Sequence, residues 1–243
     1  MDDKVSRTSL RKNLTGIELK MTIFLSITWI LFHMLSAAQI ILLTPQKIRI
    51  VHLGFALVMI FLLTPIRGKS SMTKFSTFDL LFVIITAITF IATYFRYNVL
   101  VQMGGRYEMI DIYIGIVAII LLFEAARRVS SPGLVVLALI TLVYVFFGQY
   151  LPVGLYHTGF SLKRIIQHLF LTGEGIFGFA LGVSAETIVV FVIFGSVLQE
   201  VGIADYFYDL SHAIAGRSKG GPAKIAVLSS SLMGMISGET SAN

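Results

Sequence analysis

The stretch Ile110–Arg128, IDIYIGIVAIILLFEAARR, decides the fold. From Ile110 to Ala126 only Asp111 and Glu124 are charged, and Arg127 and Arg128 close the run. An α-helix needs about 20 mostly apolar residues, with a range of about 17–25, to cross the hydrocarbon of a bilayer. Glu124 precedes the two arginines by three and four residues, which places opposite charges on one helix face. Such a pair anchors a spanning helix at the membrane surface. This block therefore reads as a transmembrane helix with one charged end.

Working outward, five further blocks have the same character: Met21–Leu43, Ile50–Ile66, Phe78–Phe95, Gly133–Leu151 and Ile176–Gln199, the last carrying Glu186 near its middle. Backbone polar groups in lipid must bond to one another, so helices are the expected form. The ten-residue alternating segments of an outer-membrane barrel are absent from the sequence. Composition agrees: 56% of the 243 residues are hydrophobic and 13% charged, at a mean hydropathy of +0.86. Soluble domains carry about 25% charged residues. An ordinary cytosolic enzyme, a disordered chain and a nucleic-acid module are excluded. The net charge of +6 does not point to nucleic acid, because the basic residues lie between apolar blocks rather than on one face. The partner is membrane lipid.

Orientation follows from lysine and arginine, which accumulate on the cytoplasmic side. With the N-terminus in the cytoplasm, 13 of the 19 basic residues fall inside: the group Lys4–Lys20, Arg67–Lys74, Arg127, Arg128, and the group Arg217–Lys224. A cytoplasmic N-terminus is the expectation. Asp2 and Asp3 and the length of Met21–Leu43 argue against a cleaved signal peptide, so the first block is read as retained.

Organisation changes after about residue 130. The first four blocks are joined by short polar links, and Ser131-Pro132-Gly133 is a turn signal. Three regions follow from this: 1–130 as a four-helix membrane unit, 131–152 as a connecting helix, and 153–243 as the start of a second unit. In the second unit Gly173, Gly175, Gly178 and Gly182 punctuate one stretch, and Gly216, Gly220, Gly221, Gly234 and Gly238 another. Glycines in apolar segments permit close packing or broken helices that line a transport site.

Catalytic constellations do not appear in the sequence. There is no cysteine, and the five histidines are scattered without a metal-binding spacing. His33, in the middle of the first block, reads as a hydrogen-bonded structural histidine between packed helices, with a proton-relay group as the weaker reading. No P-loop occurs, and an enzyme is not expected; nor is a cofactor. Glu186 is different, because a carboxylate at a helix centre costs about 2.5–3.5 kcal/mol on insertion scales and needs a partner or water. A structural hydrogen bond and a coupling-ion contact stand as equal readings. The segment after Lys224 starts as an apolar helix and runs into Ser229-Ser230-Ser231, Gly234 and Ser237-Gly238-Glu239-Thr240-Ser241-Ala242-Asn243. Small hydroxyl, glycine and amide residues suit a re-entrant hairpin tip, whose exposed oxygens fit sodium and whose helix N-termini fit an anion. A polar exit from the membrane is the other reading.

Gly175-Ile176-Phe177-Gly178, Phe191–Gly195, Gly220-Gly221-Pro222-Ala223-Lys224, Ser237-Gly238 and Ala242-Asn243 resemble one family, as do Leu122–Arg128 and Leu151–His157. It is the fused permease of tripartite ATP-independent periplasmic (TRAP) transporters, of the kind served by a TAXI-type periplasmic binding protein. The resemblance runs from about Phe61 onward. It implies an all-α integral membrane protein of the bacterial cytoplasmic membrane: a four-helix unit, then the first helices and a re-entrant hairpin of an elevator-type transport unit. It also implies sodium-driven uptake of organic acid anions delivered by the binding protein. Carried over position by position, it nominates Ser237, Gly238 and Asn243 as sodium and substrate contacts, with Glu186 added from the residue reading. Glu239 departs from the family pattern, where small residues follow the Ser-Gly pair. Because an elevator site needs both inverted halves, the chain looks like an N-terminal fragment whose partner is the remainder of the large transport unit. The competing reading is a non-transporting membrane scaffold or inactive remnant.

Overall fold

The structure is a computed structural model that describes residues 11, 14–66, 75–103 and 106–237. All regular structure among these residues is helical, and six helical stretches are long and apolar enough to cross a membrane. The expectation of an all-α membrane protein is met. The spans are α1 (Gly16–Ala37), α2 (Pro45–Leu63), α3 (Thr77–Gln102), α4 (Met109–Val129), α5 (Pro132–Phe147, extended by one 3₁₀ turn to Tyr150), and the stretch Phe179–Glu200. That last span contains α7 (Phe179–Val183), a wide π turn (Ser184–Ile188) and α8 (Val189–Glu200). The remaining helices are the short α6 (Leu162–Ile166), followed by a second π turn (Gln167–Leu171), then α9 (Ile203–Ala215) and α10 (Gly221–Ser237).

Local chemistry sets the helix ends. Proline opens α2 and α5, where its missing N–H costs nothing. In α1 the helix stops at Ala37 although the apolar run continues to Leu43. Gln39 adopts a left-handed φ of 58°, its N–H bonds to the Ser36 carbonyl at 3.0 Å, and the Ile40 N–H bonds to Leu35 at 2.9 Å. These are the two hydrogen bonds of a Schellman cap. The usual glycine is replaced by glutamine, so composition gave no stop signal there.

The described residues form two compact units, one within Met1–Leu31 and Leu42–Gly182, the other within Phe32–Ile41 and Val183–Asn243. In the first unit α2, α3 and α4 pack on one another, and α6 with its π turn packs on α4. Ile50, Leu53, Leu57 and Phe61 of α2 cluster with Phe90 of α3, Ile112, Ala118, Leu121 and Ala125 of α4, Ile166 of α6, and Phe170 and Phe177 beyond it. Gly115 permits this contact: a Cβ there would lie 2.5 Å from Ile166 Cγ2. Helix α5 buries no side chain, the pattern of a helix whose apolar surface faces lipid rather than a protein core. The junctions at 130 and 152 lie within this unit, at the two ends of α5.

In the second unit α10 packs along α9 and against α8. Phe207, Ser211 and Ala215 are the buried stripe of α9 at four-residue spacing, with Tyr206, Tyr208 and Ile214 exposed. Ser211 is fully buried and its hydroxyl has no hydrogen-bond partner among the described residues. A small side chain at that position allows two backbones to approach.

Candidate functional site

Two charge clusters brace the antiparallel pair α3/α4. At one end Asp79, fully buried in the first turn of α3, accepts hydrogen bonds from Arg11 and from Arg128 Nη1 (2.8 Å). Arg11 also donates to the Leu62 carbonyl at 2.6 Å, and Arg128 to the Thr64 carbonyl at 2.8 Å, which ties the end of α2 into the cluster. Glu124 accepts from Arg128 Nε (2.8 Å) and from Arg127 Nε (2.7 Å). The expected helix-end ion pair is present, and it belongs to a larger network. The Arg128 guanidinium lies over the rings of Phe61 and Phe82, at 4.9 and 5.2 Å, in cation–π contact. Its Nη2 is buried without a hydrogen-bond partner among the described residues.

At the other end Arg96 grips Asp111 with two bonds, Nε to Oδ1 at 2.7 Å and Nη2 to Oδ2 at 2.8 Å, and reaches Glu108 at 2.8 Å. Asp111 also accepts from the Glu108 N–H at 2.9 Å, closing the capping box of α4. Asp79 and Arg96 are 17 residues apart, and so are Asp111 and Arg128. At 1.5 Å per residue the clusters lie about 25 Å apart along the helices, close to the roughly 30 Å of a hydrocarbon core. The charges therefore cap the two ends of one span and leave its apolar middle to the membrane.

The glycine-rich stretch after α6 is interrupted as its composition suggested. The π turn Gln167–Leu171 leads into turns through Gly178, where the Gly178 N–H bonds to Gly175. Arg49 of α2 clamps it by donating to the Phe177 carbonyl at 3.0 Å. Its guanidinium lies so near Gly182 that a Cβ there would meet Nη2 at 2.6 Å. Single π turns inside α-helices occur often at functional sites.

Of the nominated residues, Glu186 occupies the middle of the second π turn with its side chain exposed. Ser237 is the last residue of α10. Gly238, Glu239 and Asn243 lie outside the described residues. The π turn holding Glu186 packs on α8, and α10 also packs on α8. His33 is buried, its ring edge-on to Phe32 at 5.2 Å. Among the described residues no group of three or more His, Asp or Glu side chains is placed to hold a metal ion. The Asp79 and Asp111 clusters and the Arg49 clamp were not anticipated. The matching 17-residue spacings were the one signal for the clusters, and the clamp left none.

These features define a multi-pass helical membrane protein with braced spans followed by a broken, glycine-rich transport-type segment. Residues 117–243, just over half of the chain, match the family model of the tripartite ATP-independent periplasmic transporter, DctM component. The chain belongs to that family, the membrane permease component of TRAP transporters. No curated protein and no solved structure matches the chain. Membership brings with it a periplasmic solute-binding protein as partner, and it is membership of a transporter family rather than an enzyme family.

Proposed function

We propose that this permease is of the fused type served by a TAXI-class binding protein and drives uptake of organic acid anions with sodium across the bacterial cytoplasmic membrane. The observation that carries the reading is that the family match lies over the interrupted helices, from within α4 through the π turns to α10. Helices α1–α3, which precede the matched residues, support a small membrane unit fused ahead of the transport unit. The cytoplasmic N-terminus is supported by the charge distribution, with Arg127 and Arg128 closing α4 on the inside. Sodium coordination is assigned to backbone and side-chain oxygens of Ser237, Gly238 and Asn243 at the hairpin tip, with Glu186 as an additional contact. Hard cations favour such oxygen ligands, and broken helix ends supply them.

The test is co-reconstitution of the complete permease in liposomes with a TAXI-type binding protein, followed by uptake of labelled dicarboxylates and other organic acids. Uptake is expected only with an inward sodium gradient and the binding protein together. Uptake that persists when a potassium gradient replaces sodium refutes the coupling. Uptake without the binding protein, or with a binding protein of another class alone, refutes the TAXI assignment.

A further inference from the structure

The chain leaving α5 folds back on the helix through one histidine. The last turn of α5 presents the carbonyls of Tyr144 and Val145 where an α-helix runs out of its own donors. His157 Nε2 is 2.9 Å from the Tyr144 carbonyl, and the Phe160 N–H donates to Val145 at 3.3 Å. On the other side of the ring the Gly159 N–H is 3.0 Å from Nδ1. The His157 N–H donates to the Gly148 carbonyl at 3.2 Å, and the Tyr144 hydroxyl to Leu155 at 3.2 Å. The imidazole occupies the space a side chain at 148 would need: a Cβ on Gly148 would lie 1.9 Å from Nε2.

These contacts fix the proton. A carbonyl only accepts, so Nε2 carries hydrogen; a backbone N–H only donates, so Nδ1 is bare. The Gly159 contact, the one bond made at Nδ1, requires the neutral Nε2–H imidazole. A second proton at Nδ1 would oppose N–H to N–H against Gly159 and remove that bond. The groups facing the ring are Tyr144, edge-on from α5 at 4.8 Å, and Phe160 at 5.7 Å, with the Arg164 guanidinium of α6 over the Phe160 ring at 5.4 Å. No carboxylate pairs with the imidazole among the described residues.

We propose that residues 148–160 form a proton-responsive cap on α5, closed while His157 is neutral and released when Nδ1 takes a proton from bulk water. Release frees the carbonyls of Tyr144 and Val145 and mobilises the exposed apolar residues Val153, Leu155 and Tyr156. The cap operates at the membrane face opposite Arg127 and Arg128, since α5 leads away from them. It does not depend on what the permease carries.

The test uses the full chain in lipid nanodiscs, where both faces see the same buffer. Histidine ring ¹⁵N spectra between pH 8 and 5, the range in which histidines ordinarily titrate, are recorded beside hydrogen exchange at residues 157–160 corrected for the intrinsic pH effect. His157 is assigned by its loss in His157→Gln. The expected result is a neutral, Nε2-protonated ring at pH 8 and at least a tenfold fall in amide protection that tracks the ring's own titration. His157→Gln is expected to make exchange pH-independent, whether the loop stays closed or open. A ring protonated on Nδ1 at pH 8, protection that survives its titration, or a glutamine variant that still opens at pH 5 overturns the proposal.

Discussion

Asp79→Asn is the sharpest probe of how the first unit is held together. The substitution keeps volume and one acceptor oxygen but removes the carboxylate charge that Arg11 and Arg128 share among the described residues. Both ion pairs are buried, with side-chain exposure of 0% for Arg11 and Asp79 and 2% for Arg128. Removing one partner of a buried pair typically costs about 3–5 kcal/mol, because a desolvated charge is left uncompensated. Here the arginines retain other acceptors: Leu62 for Arg11, and Thr64 and Glu124 for Arg128. The low end applies, about 3 kcal/mol, which lowers the folding equilibrium constant on the order of 100-fold at 1.4 kcal/mol per tenfold. Trp29 is the one tryptophan of the chain, its ring 5.4 Å from His52 and stacked on Phe55 at 6.2 Å. Its fluorescence reports reversible denaturation of the first unit in detergent micelles. Arg127→Gln serves as the control, because Arg127 is half-exposed and an exposed pair contributes less than about 1 kcal/mol. An Asp79→Asn protein within about 0.5 kcal/mol of the parent would refute the argument that this cluster braces the unit.

Cysteines placed at Met103, which caps the end of α3, and at Ser130, which caps the end of α4, are expected to label from opposite sides of the membrane in intact cells, with Met103 outside. Labelling of both from one side sinks the topology. Glu186→Gln in the complete permease is expected to insert normally and to weaken sodium dependence of uptake. If rate and sodium dependence are both retained, Glu186 has no coupling role. Gly238→Val, which blocks left-handed backbone and close approach, and Asn243→Leu, which removes an amide oxygen, are each expected to lower apparent sodium affinity. Unchanged sodium activation in both places the ion site elsewhere.

Periodicity and composition carried most of the fold because a bilayer imposes few solutions. Every spanning segment must be apolar for about 20 residues and must satisfy its own backbone, so every span was recognisable and α4 and α5 were placed within a few residues of their ends. By contrast, α2 begins at Pro45, ahead of its apolar block, and α3 runs past Phe95 to Gln102 through polar residues. The α1 end was misplaced because its stop is a backbone event at Gln39, and the apolar run through Ile40–Leu43 gives no sign of it. The glycines at 173, 175, 178 and 182 correctly marked an interrupted segment, because a residue without a Cβ is the ordinary means of breaking or crowding an apolar helix. Nothing in the sequence separated the two π turns from plain α-helix, since one extra residue per turn leaves composition unchanged.

Residue order alone established the class of protein, the number of spans, the Glu124–arginine pair and the family resemblance, because each is written in local composition or in a contiguous motif. Only the tertiary structure decided which charges meet. Arg11 and Asp79 are 68 residues apart, Asp79 and Arg128 are 49, and Arg49 lies 128 residues from the Phe177 carbonyl it holds. Whether a buried carboxylate is an unsatisfied cost or a brace depends on such partners, and chain folding alone brings them within 3 Å. The contacts of His157 are of the same kind: the Tyr144 carbonyl lies on one side of its ring and the Gly159 N–H on the other, and neither is visible in the identity of a residue.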